Sequence, residues 1–206
     1  MSAEPTEKQP REKGKRPSAR ERICETAREL FYQRGIRGVG VEMIAAEAGT
    51  TKMSLYRNFS SKDDLVAECL CEQEREFWAW WEATVEPLNG QPRRQIEALF
   101  DALEAQLASD HWSRGCVFAN AAVELPDKHH PARKIILEHH RAVRARLRAI
   151  CGEMNARDPG ALADGLVLLM AGVYMSCLVF EGAEFKQSFA ATARAMLRSE
   201  LGPAEA

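Results

Sequence analysis

Residues Val41–Leu65 read VEMIAAEAGTTKMSLYRNFSSKDDL. Val41, Ile44, Ala45 and Ala48 recur at helical spacing, and Gly49 stops the run. After two threonines, Lys52–Asn58 carries Leu55, and then Phe59, toward the same side. Two short helices about a glycine-containing turn predict a helix-turn-helix. Ser61 stands three residues before Asp64 and just ahead of Leu65 and Val66. That spacing is a capping-box-like start for a longer helix reaching about Thr84, with Asp63 and Asp64 favourable to its dipole. Upstream, Ile23, Ala27, Leu30 and Phe31 share one face of a helix over 18–34, with Gly35 as its C-cap. Residues 1–17 mix Pro, Gly, Lys, Arg and Glu without apolar periodicity, and the expectation there is a disordered basic tail.

Beyond the fourth helix, Pro87, Asn89, Gly90 and Pro92 mark a loop. Further helices are predicted over about 93–108, 115–124, 131–155, 160–181 and 184–201, and no segment alternates with period two. The sequence predicts an all-α chain of about nine helices, with an N-terminal helix-turn-helix head over 18–64 and a helical body over 65–206. Composition agrees: of 206 residues, 46% are apolar and 28% charged, which excludes a disordered or collagen-like chain. The formal charge is −2, but residues 1–62 hold 13 basic and 8 acidic side chains while the remainder is acidic. A cationic head suited to a polyanion on an acidic body is the reading of that split. The first twenty residues contain no apolar signal region, so the expected location is cytoplasmic. Six cysteines without a C-x-x-C pair fit free thiols in a reducing compartment. Gly165–Phe180 is uncharged, but its 16 residues fall short of the roughly 20 of a membrane span, which predicts a buried interface helix and no membrane partner.

A helix that reads DNA needs polar side chains on one face for phosphates and base edges, and apolar ones opposite to hold it in place. Lys52, Ser54, Tyr56, Arg57 and Asn58 are the outward candidates, with Leu55 and Phe59 as anchors. Lys62, at the start of the next helix, is a candidate for holding a phosphate together with backbone N–H groups. The stretch resembles the DNA-binding domain of TetR/AcrR-family transcriptional regulators, through Ile44-Ala45, Ala48-Gly49, Leu55-Tyr56, Phe59 and Ser61-Lys62 before Leu65. The resemblance implies a homodimer that places two heads in successive major grooves of a palindromic operator on double-stranded DNA, most often as a repressor. The chain departs from the pattern at Val39 and Gly40, where hydroxyl residues are common, leaving glycine to cap the second helix by backbone alone. Glu42 stands where a basic or neutral residue is frequent, and its charge repels phosphate unless Arg37 or Lys52 compensates. Lys13, Lys15, Arg16 and Arg20 are candidates for a basic arm along the DNA, or equally for solubility alone.

Regulators of this kind couple a small-molecule pocket in the body to the spacing of the heads, and the resemblance implies such an effector here. Phe77, Trp78, Trp80 and Trp81 lie within five residues and cannot share one buried stripe. The candidate lining is Trp78, Trp81, Phe100, Leu103, Phe118, Met170 and Tyr174, an apolar set suited to a largely apolar effector, with core filling as the alternative for each. The candidate dimer interface is Leu162, Gly165, Leu169, Gly172, Val173 and Ser176, joined by Phe185, Phe189, Ala193 and Met196 from the last helix. These would build a four-helix bundle across a two-fold axis.

Arg114-Gly115-Cys116-Val117-Phe118 resembles a segment of some electrophile-responsive repressors, and Cys116 beside Arg114 at a helix start is a candidate thiolate sensor, against the alternative of a buried structural thiol. His129-His130 and His139-His140 lack zinc-site spacing, so neither metal nor cofactor is expected. No G-x-S-x-G, P-loop or dinucleotide fingerprint is present, which argues against an enzyme. A dimeric protein-interaction scaffold is the remaining alternative class.

Overall fold

The computed structural model describes residues 17–109, 113–180 and 188–201. Among them run α1 (Ala19–Arg34), α2 (Val41–Glu47), α3 (Lys52–Asn58), α4 (Lys62–Val85), a 3-10 turn (Glu86–Leu88), α5 (Pro92–Leu107), α6 (Val117–Glu124), α7 (Pro131–Gly152), α8 (Pro159–Val179) and α9 (Phe189–Leu201). No strand occurs among the described residues. The fold is therefore all-α, with the helix-turn-helix where the sequence places it. The expected tail over 1–17 lies, but for Pro17, outside the described residues, as do Lys13, Lys15, Arg16 and Phe185.

Local chemistry explains the helix starts. Ser18 caps α1 in a reciprocal capping box with Glu21, and Ser61 Oγ accepts the Asp64 N–H at 3.0 Å to open α4. Asp158 does the same for α8 through Ala161, at 2.9 Å. His130 caps α7, its Nδ1 accepting the Ala132 N–H at 3.1 Å. The α7 helix ends at Gly152, short of the predicted 155, and α9 is described from Phe189, its predicted start at 184 lying outside the described residues.

The buried residues form two cores, and their division does not follow the boundary at residue 64. One joins Ile23, Ala27, Leu30, Ile44, Leu55 and Phe59 of the head to Leu65, Cys69 and Leu70 of α4, Phe118 and Ala121 of α6, and Ala132 and Ile136 of α7. The other packs Trp81 and Val85 of α4 with Ile96, Leu99, Phe100 and Leu103 of α5, Leu147 of α7, Leu166 and Met170 of α8, and Phe189 and Ala193 of α9. Helices α4 and α7 contribute to both cores. Among the described residues α8 alone is long and apolar enough to cross a membrane. It lies instead between α7 and α9, with Leu162, Ala163, Leu166, Met170 and Val173 turned into the core.

Candidate nucleic-acid interface

The turn between α2 and α3 sets the site. Gly49 closes α2 at φ +60, a left-handed conformation that side chains with a Cβ rarely adopt, and the Thr50 N–H returns to the Ala45 carbonyl at 2.8 Å. Thr51 then caps α3, its hydroxyl accepting the Ser54 N–H at 3.1 Å. Leu55 and Phe59 are buried at 0% and 4% exposure and fix the rotation of α3. That rotation turns Lys52, Met53, Tyr56 and Arg57 outward as one stripe.

Met53 is 69% exposed and Tyr56 44%. A large apolar side chain in such a stripe suits thymine methyl groups. Met53 carries no polar donor, and the signal for it in the sequence is its helical position beside Lys52. Ser54 is half-buried at the helix start. Asn58 spends its side-chain amide on the Ser54 carbonyl at 2.7 Å, which ties down the end of α3.

Lys62 points inward. Its ammonium donates to the Ile36 carbonyl at 2.5 Å and lies 5.9 Å from the Phe31 ring centre, and burial lowers its pKa. In this conformation it braces the loop between α1 and α2 instead of offering its charge to a phosphate. Arg20 likewise belongs to the head and not to a free arm. It donates to the Asn58 carbonyl at 2.9 Å, pairs with Glu68 at 3.1 Å and covers the Phe59 ring at 4.5 Å.

Gly40 starts α2 in an extended conformation without a side-chain cap. Glu42, in the first turn of α2, is ion-paired to Lys52. Each partner favours the charged form of the other, which lowers the Glu42 pKa and raises that of Lys52.

In the body, the seven candidate effector residues are divided between the two cores. Trp81, Phe100, Leu103 and Met170 belong to the second core, and Phe118 to the first. Tyr174 touches both. Of the four aromatics on α4 only Trp81 is buried, at 1% exposure. Trp78 is half-buried, donates to Glu74 Oε1 at 2.9 Å and lies 4.6 Å beneath the Arg146 guanidinium. His139, which the sequence reading weighed only as a metal ligand, links these groups. It stacks on Phe118 at 3.8 Å and meets Phe77 edge-on at 4.8 Å. Burial lowers its pKa to about 3, so the imidazole is neutral and its 3.8 Å approach to Glu74 is no ion pair.

Of the candidate interface residues, Leu162, Val173, Ser176, Phe189 and Ala193 are buried within the chain itself. Gly165 admits α9, since a Cβ there would stand 2.5 Å from Met196 Cε; the glycine serves an intrachain crossing. Leu169 and Met196 are half-buried. Gly172 faces open space. Beside it Leu168, Met175 and Val179 are 72%, 60% and 64% exposed. Periodicity does not single out these three, because nearly every residue of α8 is apolar.

Cys116 does not sit as a thiolate. It is buried at 8% exposure, and desolvation raises its pKa against the backbone N–H groups of Phe118 and Ala119. Among the described residues no three His, Cys, Asp or Glu side chains gather as metal ligands.

Comparison with known proteins agrees with this geometry. Residues 23–69 match the model of bacterial regulatory proteins of the tetR family, and residues 92–193 match the tetracyclin repressor-like C-terminal domain. A TetR-family transcriptional regulator from Streptomyces coelicolor superposes with a TM-score of 0.83 at 30% identity over 90% of each chain. This chain belongs to the tetR family. A second tetR-family structure, from Streptomyces avermitilis, has a TM-score of 0.77 at 30% identity, covering 89% of this chain and 98% of that one. The transcriptional repressor DhaR of a Mycobacterium species is 29% identical over 110 residues, 53% of this chain. That match spans only 54% of DhaR. LmrA of Bacillus subtilis, a transcriptional regulator, is 26% identical over 72% of this chain and 82% of its own length. TetR-family relatives are DNA-binding transcriptional regulators and not enzymes.

Proposed function

We propose that this tetR-family chain is a homodimeric repressor that binds a palindromic operator and is released by a small, largely apolar effector. The observation that carries the DNA-reading part is the outward stripe of α3, Lys52, Met53, Tyr56 and Arg57, on a helix locked by Leu55 and Phe59. N-terminal residues of such a helix contact base edges, and the helix before it crosses the phosphate backbone. In this reading residues 18–64 supply the DNA contacts and 65–206 the effector site and dimer contacts.

The exposed stripe Leu168, Gly172, Met175 and Val179 supports dimerisation. Its spacing of three and four residues covers one face of α8, and the absence of a Cβ at Gly172 lets a second helix approach closely. A two-fold axis through that face gives two heads and hence a palindromic site. For the effector, the half-buried Trp78 is the better probe, because Trp81 is a core residue whose loss would cost about 3–5 kcal/mol of stability.

Selection of bound duplexes from a random pool, with sedimentation of the free and bound protein, tests the reading. A recovered palindrome bound by a dimer supports it. Recovery of no motif, or of a single half-site bound by a monomer, overturns it.

A further inference from the structure

Glu42 and Lys52 pose a problem that folding does not answer. Both side chains are largely exposed, 68% and 52% respectively, and an exposed ion pair adds little stability. Its place is costly for a protein that holds a polyanion. The carboxylate lies on the side of the head that α3 presents outward, and it cancels the charge of the first residue of α3, where phosphate attraction would be strongest. What the pair retains is a hydrogen-bond donor and an acceptor, side by side, at the N-terminal end of the DNA-reading helix.

A G·C base pair presents the matching arrangement in the major groove. Guanine N7 and O6 are two adjacent acceptors, and the cytosine N4 amino group beside O6 is a donor. The ammonium can bridge N7 and O6 while the carboxylate accepts from N4, so the two ion-paired groups meet two groups that are themselves hydrogen-bonded partners. An A·T pair fits less well, because the adenine N6 donor lies between the two acceptors and faces the ammonium with like polarity, and the thymine methyl crowds O4. We propose that Lys52 and Glu42 together read one G·C base pair in each half-site, with Glu42 as the specificity-determining residue. This rests on the DNA-reading assignment of α3 above. Tyr56, one turn beyond Lys52, stands alongside to contact the flanking phosphate or base.

Glu42 therefore lowers affinity for DNA in general and raises the preference for one base pair. The experiment selects duplexes from a random pool with the full native chain, Glu42→Ala, Glu42→Gln and Lys52→Ala, and measures affinities for the selected site and its three substitutions at the G·C position. Circular dichroism checks that helicity is unchanged. The native chain is expected to fix one G·C pair per half-site. Glu42→Ala should bind unrelated DNA more tightly, yet lose about tenfold or more of its preference for that pair. Glu42→Gln, whose amide oxygen can still accept from cytosine, should retain part of it, and Lys52→Ala should lose the same position while the rest of the motif stands.

If Glu42→Ala raises affinity equally for every sequence and leaves the motif intact, Glu42 is only a repelling charge and the proposal fails. A fixed A·T pair at the position sensitive to both residues overturns it as well. Failure of the DNA-reading assignment gives a different result, since the native chain would then yield no motif at all.

Discussion

Glu124, the last residue of α6, accepts the backbone N–H of Arg37 at 3.0 Å, so a body helix holds the loop between α1 and α2. A second contact lies at the other end of α6. The Tyr32 hydroxyl on α1 donates to the Gly115 carbonyl at 3.2 Å and accepts the Arg114 N–H at 3.1 Å. Gly115 is confined there: at φ +67, a Cβ would stand 2.5 Å from the Tyr174 carbonyl oxygen of α8. Helix α6 is thus clasped to the head at both termini, and its movement in the body would be felt at the entry to α2.

Glu124→Ala should release the Arg37 amide at a cost of about 1 kcal/mol, the scale of a partly exposed charge-assisted hydrogen bond. For a chain of this size that lowers Tm by roughly 2–4 °C. Hydrogen exchange at the Arg37 amide should accelerate in the variant. Unchanged exchange and unchanged Tm would show that the carboxylate does not hold the loop.

At the DNA face, Arg57→Ala and Lys62→Ala should behave differently. Arg57 is exposed on the outward stripe, so its loss should weaken operator binding and reduce the salt dependence by about one phosphate contact. Lys62 braces Ile36, so its loss should lower thermal stability first, with the salt dependence unchanged. Titrations at several salt concentrations, beside melting curves, separate the two; a lower salt slope in Lys62→Ala would return that residue to the phosphate contact.

Gly172→Leu separates the fold of one protomer from its association. Nothing lies within 4 Å of a Cβ at Gly172, and replacing a mid-helix glycine favours the helix by roughly 1 kcal/mol. The variant should therefore melt no earlier as a monomer, yet sediment as one, because the added side chain blocks a close helix crossing. A full-strength dimer would place the interface elsewhere than this face of α8.

His139 should leave a signature in acid. Its folded pKa of about 3 lies below the ordinary histidine value, so the unfolded chain takes up a proton that the folded chain refuses. Stability is untouched above about pH 7 and falls as pH drops through about 6.5 toward 3, by up to about 1.4 kcal/mol per pH unit from this group. His139→Phe, which keeps a ring on Phe118, should remove that contribution and gain about 2 kcal/mol on the native chain between pH 7 and pH 5. Urea denaturation at the two pH values measures it, and parallel losses in both proteins would show that His139 titrates normally.

Desolvation raises the pKa of both Cys71 and Cys116, but Cys71 on α4 is half-buried and open to solvent, whereas Cys116 is buried. Alkylation of the folded protein near neutral pH should mark Cys71 well before Cys116, read by peptide mass spectrometry. Modification of Cys116 first would restore the electrophile-sensing reading.

The helices, and the caps at Gly35, Gly40 and Ser61, were legible in the sequence because they depend on residues within about one turn of each other. Lys52–Asn58 is a helix in both readings, Gly40 caps α2 by backbone alone, and the compensation expected for Glu42 is found in Lys52. Less local features were not legible. On α8 nearly every residue is apolar, so periodicity could not tell the face buried by α7 and α9 from the face carrying Leu168 and Met175. Composition gathered the aromatic residues into one candidate pocket, but packing distributed them over two cores. Lys62 looked like a surface cation until the loop at Ile36 folded over it. A helix is set by hydrogen bonds four residues apart, whereas the direction a side chain faces is set by whichever distant segment excludes water from it, and only the tertiary structure brings that segment into place.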